Sequence, residues 1–174
     1  PVTPLPASTS DAASLLRNIP GVDLRGAGGV SSLPAIHGMS GDRVRTKLDG
    51  MDLISSCANH MNPPLSYIDP SNVDTVEVFA GITSVSVGGD SIGGTIVVNS
   101  ATPEFASSAE TTLTKGAGGT FYRSNGDAYG GNVSATLASN MLSLNYEGAT
   151  AQSDNYKAAN DFKPSGPAAV DRGY

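Results

Sequence analysis

Tryptophan is absent from this sequence, aromatic residues make up only 6% of it, and a single cysteine and two histidines occur in 174 residues. That scarcity, set beside 21 glycines and 11 prolines, argues against a bundle of long packed helices. A lone cysteine, Cys57, excludes an internal disulfide framework and calls for another reason to keep a thiol. Ten basic residues stand against sixteen acidic ones, a formal charge of −6, and the basic ones are scattered, which excludes a nucleic-acid surface built on clustered Lys and Arg. No eighteen-residue apolar run occurs, so no transmembrane helix is expected, although membrane strands alternate and escape that test. Catalytic signatures are missing too. There is no Ser-His-Asp set, phosphate loop or paired helix histidines, and Gly88-Gly89 with Gly93-Gly94 does not form a dinucleotide fingerprint. An enzyme and a catalytic cofactor are not expected.

What the chain has is glycine, 21 residues, and proline, 11, a composition that favours turns and extended segments. Residues 1–10 carry neither a charged n-region nor an apolar h-region and read as a disordered lead, any secretory signal having been removed or never having been there. Ser10-Asp11 can cap a short helix through Ala13, Leu15 and Leu16 that ends at Pro20-Gly21. Residues 22–25 resemble a strand, 26–32 a Gly/Ser-rich loop, and Pro34-Ala35-Ile36 an extended segment before a turn at 38–42. Residues 43–48 alternate like a strand closed by Asp49-Gly50, and 67–72 suggest a turn of helix. Residues 73–80 and 92–99 read as buried strands. The expectation is a small mixed α/β domain over residues 11–102. Beyond Thr102-Pro103 the texture changes: residues 111–115, 132–138 and 141–147 read as strands, with Ser139-Asn140 as a two-residue hairpin turn. Val133, Ala135 and Leu137 share one face, as do Leu142, Leu144 and Tyr146, opposite Ser143, Asn145 and Glu147, so one side suits apolar surroundings and the other water. Residues 152–174 show no period and close no sheet.

An ordered series of short motifs runs through residues 11–100: Ile19-Pro20-Gly21-Val22, Gly26-Ala27-Gly28-Gly29, Pro34-Ala35-Ile36-His37-Gly38 leading to Arg43, Leu48-Asp49-Gly50, Ile68-Asp69-Pro70, Val76-Glu77-Val78 with Gly81 and Ser84, and Ser91-Ile92-Gly93-Gly94-Thr95-Ile96. Together they resemble the plug domain of TonB-dependent outer-membrane receptors. The resemblance implies a plug inside a 22-stranded barrel, with residues 103–174 as the start of a truncated transmembrane β-barrel in the bacterial outer membrane. It implies a transport receptor that touches membrane lipid through the barrel and the TonB complex from the periplasm, through a segment missing here. The family usually has Arg-Gly where this chain has His37-Gly38, and that arginine typically anchors plug to barrel. Arg43 and Arg45 remain as candidate anchors.

Ser55-Ser56-Cys57-Ala58-Asn59-His60-Met61-Asn62-Pro63-Pro64 gathers thiol, imidazole and thioether donors. Soft sulfur selects monovalent copper over hard cations, whereas zinc rarely accepts a thioether. On a helical turn Cys57 and Met61 would face the same way, and Pro63-Pro64 would stop that turn. Cys-x-x-x-Met followed by Pro-Pro resembles the TonB-dependent copper receptors, which implies Cys57 and Met61 as part of a copper(I) site completed from the barrel. His60 is a further candidate ligand by proximity. The transported ligand is thus expected to be copper. The alternatives are a siderophore, cobalamin or another metal chelate, or a surface binding module that imports nothing.

Overall fold

The computed structural model describes residues 11–27, 31–89, 91–107 and 112–154. It divides after Glu104 into two compact units. The expected lead at 1–10 and the segment 155–174 lie outside the described residues.

In the first unit the Asp11 carboxylate accepts from the Ala13 amide at 3.1 Å and caps a 3-10 helix, Ala12–Leu16, whose Ala13 and Leu16 are wholly buried. β1 (Val22–Ala27), β2 (Ser31–Ile36) and β3 (Met39–Ser40) form an antiparallel three-stranded sheet. The loop expected over 26–32 is shorter than that. Ala27 pairs with Ser31 and Gly26 with Ser32, because backbone pairing needs no particular side chain and Ser31 and Ser32 are buried; residues 28–30 lie outside the described residues.

β4 (Val44–Leu48), β5 (Met51–Leu53), β6 (Val73–Ala80) and β7 (Gly94–Ser100) make a mixed sheet in the order β5-β4-β7-β6. β4 and β7 are parallel and the other pairs antiparallel. Asp49 and Gly50 both take positive φ, 49° and 83°, as the two-residue turn between β4 and β5 requires. Short 3-10 helices, Gly41–Arg43, Pro64–Tyr67 and Pro70–Asn72, fill the connections, and no α-helix occurs among the described residues. The core gathers Leu16, Ile36, Leu65, Ile96 and Val98 from the helices and both sheets. Each contributes roughly 1.5–3 kcal/mol by leaving water. β7 is central, so its burial is nearly continuous, yet it starts at Gly94 and leaves Ile92 exposed, against the expectation of a strand from Ile92. Gly93 donates to the Arg43 carbonyl at 2.8 Å and accepts from the Gly81 amide at 3.1 Å, which turns the chain before the ladder begins.

The second unit is an antiparallel meander of β8 (Leu113–Arg123), β9 (Ala128–Ala138) and β10 (Ser143–Gln152). β8 runs past the expected end at Lys115, because Gly116, Gly118 and Gly119 pair with Ala135, Val133 and Asn132 through backbone alone. The β9–β10 turn is also longer than expected. The Ser139 amide donates to the Leu142 carbonyl at 2.7 Å, and Ser139 Oγ accepts the Met141 and Leu142 amides at 3.3 and 3.0 Å. Leu142 therefore belongs to the turn and leaves the apolar face of β10 to Leu144 and Tyr146. No helix among the described residues is long and apolar enough to cross a membrane.

Candidate metal centre

Residues 54–63 leave β5 and return to the 3-10 helix Pro64–Tyr67. Within them the His60 amide donates to the Cys57 carbonyl at 2.9 Å, closing one tight turn, and His60 takes a left-handed φ of 51°. The helical turn expected to align Cys57 with Met61 does not form. The left-handed φ of His60 turns the backbone out of a helical course before Met61, and the Cys57 carbonyl keeps the His60 amide as its partner, with Ser55 Oγ at 3.0 Å. Cys57 is half-buried, and Met61 is 67% exposed.

The ends of this loop are tied by side chains. Tyr67 donates its hydroxyl proton to the Asn62 carbonyl at 2.9 Å and accepts the Ser56 amide at 2.9 Å, with Ser56 Oγ at 2.8 Å. Donation from the Ser56 hydroxyl and amide holds the Tyr67 phenol below the ordinary tyrosine range, since both favour the phenolate. Ser55 Oγ also reaches the Asn62 carbonyl at 3.1 Å, and Ser31 Oγ of β2 donates to the Met61 carbonyl at 3.2 Å. His60 is tethered separately: its ring lies against Gly41, and Nε2 stands 3.7 Å from Asp42 Oδ1, an ion pair when the imidazole is protonated. Asp42 is almost fully exposed, so that pair contributes little. Behind the loop, Ser55, His60, Asp42, Arg45 and Asp52 line a cleft of about 350 Å³.

The family model described as TonB-dependent Receptor Plug Domain matches residues 6–95, just over half of the chain. The chain belongs to this family. The chain resembles the copper transporter OprC, with a TM-score of 0.72 and 29% identity over 87% of this chain and 23% of that one. The FrpB iron transporter from Neisseria meningitidis gives 0.66 at 21% identity, covering 92% of this chain and 25% of that one. The ferric enterobactin receptor PfeA gives 0.60 at 19%, covering 86% and 23%. The two iron-receptor likenesses carry the fold alone. The chain spans about a quarter of the length of each of these structures. The family is one of transport receptors, and the mixed plug sheets followed by an antiparallel meander match the expected plug and barrel start.

Of the residues singled out in the sequence, the plug brings Cys57, His60 and Met61 onto one tied loop. Among the described residues no group of three or more His, Cys, Asp or Glu has a metal-holding arrangement. Arg45 is held inside the plug: its guanidinium makes a two-pronged contact with Asp52, both at 2.6 Å, and donates to the Gly88 carbonyl. Arg43 is exposed and has no side-chain partner among the described residues. Tyr67, Ser55 and Ser31 are the functional candidates that sequence reasoning missed. Ser55 and Tyr67 lie within six residues of the Cys-x-x-x-Met stretch, whereas Ser31, thirty residues before Met61, gave no local signal.

Proposed function

We propose that residues 11–102 are the plug and residues 103–174 the first barrel strands of a TonB-dependent receptor of the bacterial outer membrane that binds and imports copper(I). The observation that carries the reading is the pair of soft sulfur donors, Cys57 and the Met61 thioether, on one loop whose two ends are hydrogen-bonded in place. The likeness to a copper transporter supports the same cargo. His60 offers a third donor, but coordination through Nε2 would cost its contact with Asp42. Arg43, exposed, is better placed than Arg45 to reach a carboxylate on a barrel wall. TonB would act on the periplasmic side, and the remaining ligands would come from the barrel.

The test is copper(I) binding by the receptor carrying this chain, under reducing conditions and in competition with a chromophoric chelator. Cys57→Ser and Met61→Ala should each weaken binding by at least the roughly 10–100-fold that even outer-shell changes cause. Affinity unchanged in both variants would move the cargo to a metal chelate such as a siderophore or cobalamin.

A further inference from the structure

We infer that Tyr67 is a positioning residue for the copper loop, holding Cys57 and Met61 in the arrangement that binds the ion; this rests on the copper reading above. A phenol has one proton and two lone pairs. Here the proton goes to the Asn62 carbonyl at 2.9 Å, so the Ser56 amide at 2.9 Å and the Ser56 hydroxyl at 2.8 Å must be the donors to the oxygen. Every hydrogen-bonding position of the hydroxyl is therefore spent on two residues, Ser56 immediately before Cys57 and Asn62 immediately after Met61. One atom joins the two limbs of the loop next to both sulfur ligands.

The hydroxyl is itself well supported. Tyr67 ends the 3-10 helix Pro64–Tyr67, in which Leu65 is buried in the core and Ser66 bonds the Pro63 carbonyl through both its amide (2.9 Å) and its Oγ (2.7 Å). Two consecutive prolines restrict the backbone just before it. A second tie, Ser31 Oγ to the Met61 carbonyl at 3.2 Å, fixes the same limb to β2. A loop ordered in advance binds its ion without first losing that freedom, so the clamp acts on affinity while touching no metal. Tyr67 is 48% exposed, and water can replace the lost partners when the hydroxyl is removed, so the fold should tolerate the change.

The experiment measures copper(I) affinity and the metal-free melting temperature of the receptor for the parent, Tyr67→Phe, Ser56→Ala, Met61→Ala and the Tyr67→Phe/Met61→Ala double variant. Tyr67→Phe should weaken copper(I) binding about tenfold, at the lower end of outer-shell effects, with melting unmoved. Ser56→Ala should give a smaller loss in the same direction, and Tyr67→Phe should cost less when Met61 is already gone. Parent affinity in Tyr67→Phe, alongside a parent that depends on Cys57 and Met61, would overturn the positioning role and leave the copper reading standing. An equal Tyr67→Phe loss with and without Met61, accompanied by lower melting, would also overturn it, as a general structural effect. A parent that binds no copper(I) would remove both readings.

Discussion

Gly94 opens β7 with φ at 135°, and a Cβ built on it would run into the Phe79 carbonyl oxygen of the neighbouring strand and lie 3.1 Å from Ile36 Cδ1. No L side chain takes that backbone conformation without strain, and the obstacle is main chain that cannot swing aside. Gly94→Ala should therefore destabilise the plug by about 2–4 kcal/mol, read from the midpoint of urea unfolding. Ile36 and Ile96 are equally buried but more forgiving, because a smaller aliphatic side chain leaves a cavity and not a collision. At the Cys57 loop the decisive groups are hydroxyls. Ser55, Ser56 and Tyr67 hold carbonyls and amides that a helix would otherwise have satisfied, which explains how a stretch next to two prolines keeps a defined shape without regular structure.

β4 illustrates how one strand serves both a core and a latch. Val44 and Thr46 point inward, while Arg45 and Lys47, on the other face, reach the carbonyls of Gly88 and Val87, the latter at 3.1 Å. The loop they hold is also pinned by hydroxyls: Thr83 Oγ1 lies 3.0 Å from Thr95 Oγ1, and Ser91 Oγ lies 3.1 Å from it. Asp52 of β5 steadies Arg45 through two 2.6 Å contacts, and the Arg45 hydrogen bond holds the Asp52 carboxyl below its ordinary value of 3.8. With the folded value depressed, the contribution of this pair is complete above the unfolded pKa, near 4, and is lost as pH falls through the folded value. The melting difference between the parent and Asp52→Asn should accordingly be constant at neutral pH and vanish on acidification below about pH 4. A difference that grows on acidification would contradict this linkage.

Across the meander, cross-strand register sorts side chains into two unlike faces. Leu137 faces Leu144, Ala135 faces Tyr146, and Tyr129 lies between Tyr122 and Gln152, giving an exposed apolar band with aromatics toward one end. Lys115, Thr136 and Asn145 line up on the other face with Ser134 and Glu147, and Thr136 Oγ1 donates to Asn145 Oδ1 at 2.9 Å. An exposed apolar band over a polar face is the arrangement of a barrel wall between lipid and a polar lumen. Leu137→Arg should cost on the order of 2 kcal/mol of membrane stability, whereas Ser134→Arg on the opposite face should be tolerated. Heat-modifiable mobility of the receptor in outer-membrane extracts would compare the two, and equal loss in both would contradict the assignment of faces.

Much of this was written locally in the chain. The Asp11 cap, the Asp49-Gly50 turn and the alternation of Val133, Ala135 and Leu137 each depend on neighbours a few residues away, so their residue types sufficed to foresee them. The donor types at Cys57, His60 and Met61 were legible for the same reason. What tertiary structure decided involves partners distant in sequence. The glycines of β8 became strand because β9 supplied a ladder, Gly93 turned the chain at the Arg43 carbonyl, and Arg45 was tied to the Gly88 carbonyl on the outer face of β4. The Cys57 loop was likewise shaped by Tyr67 and by Ser31, the latter thirty residues away, because a hydrogen bond is decided by where two atoms finally stand and periodicity does not report that.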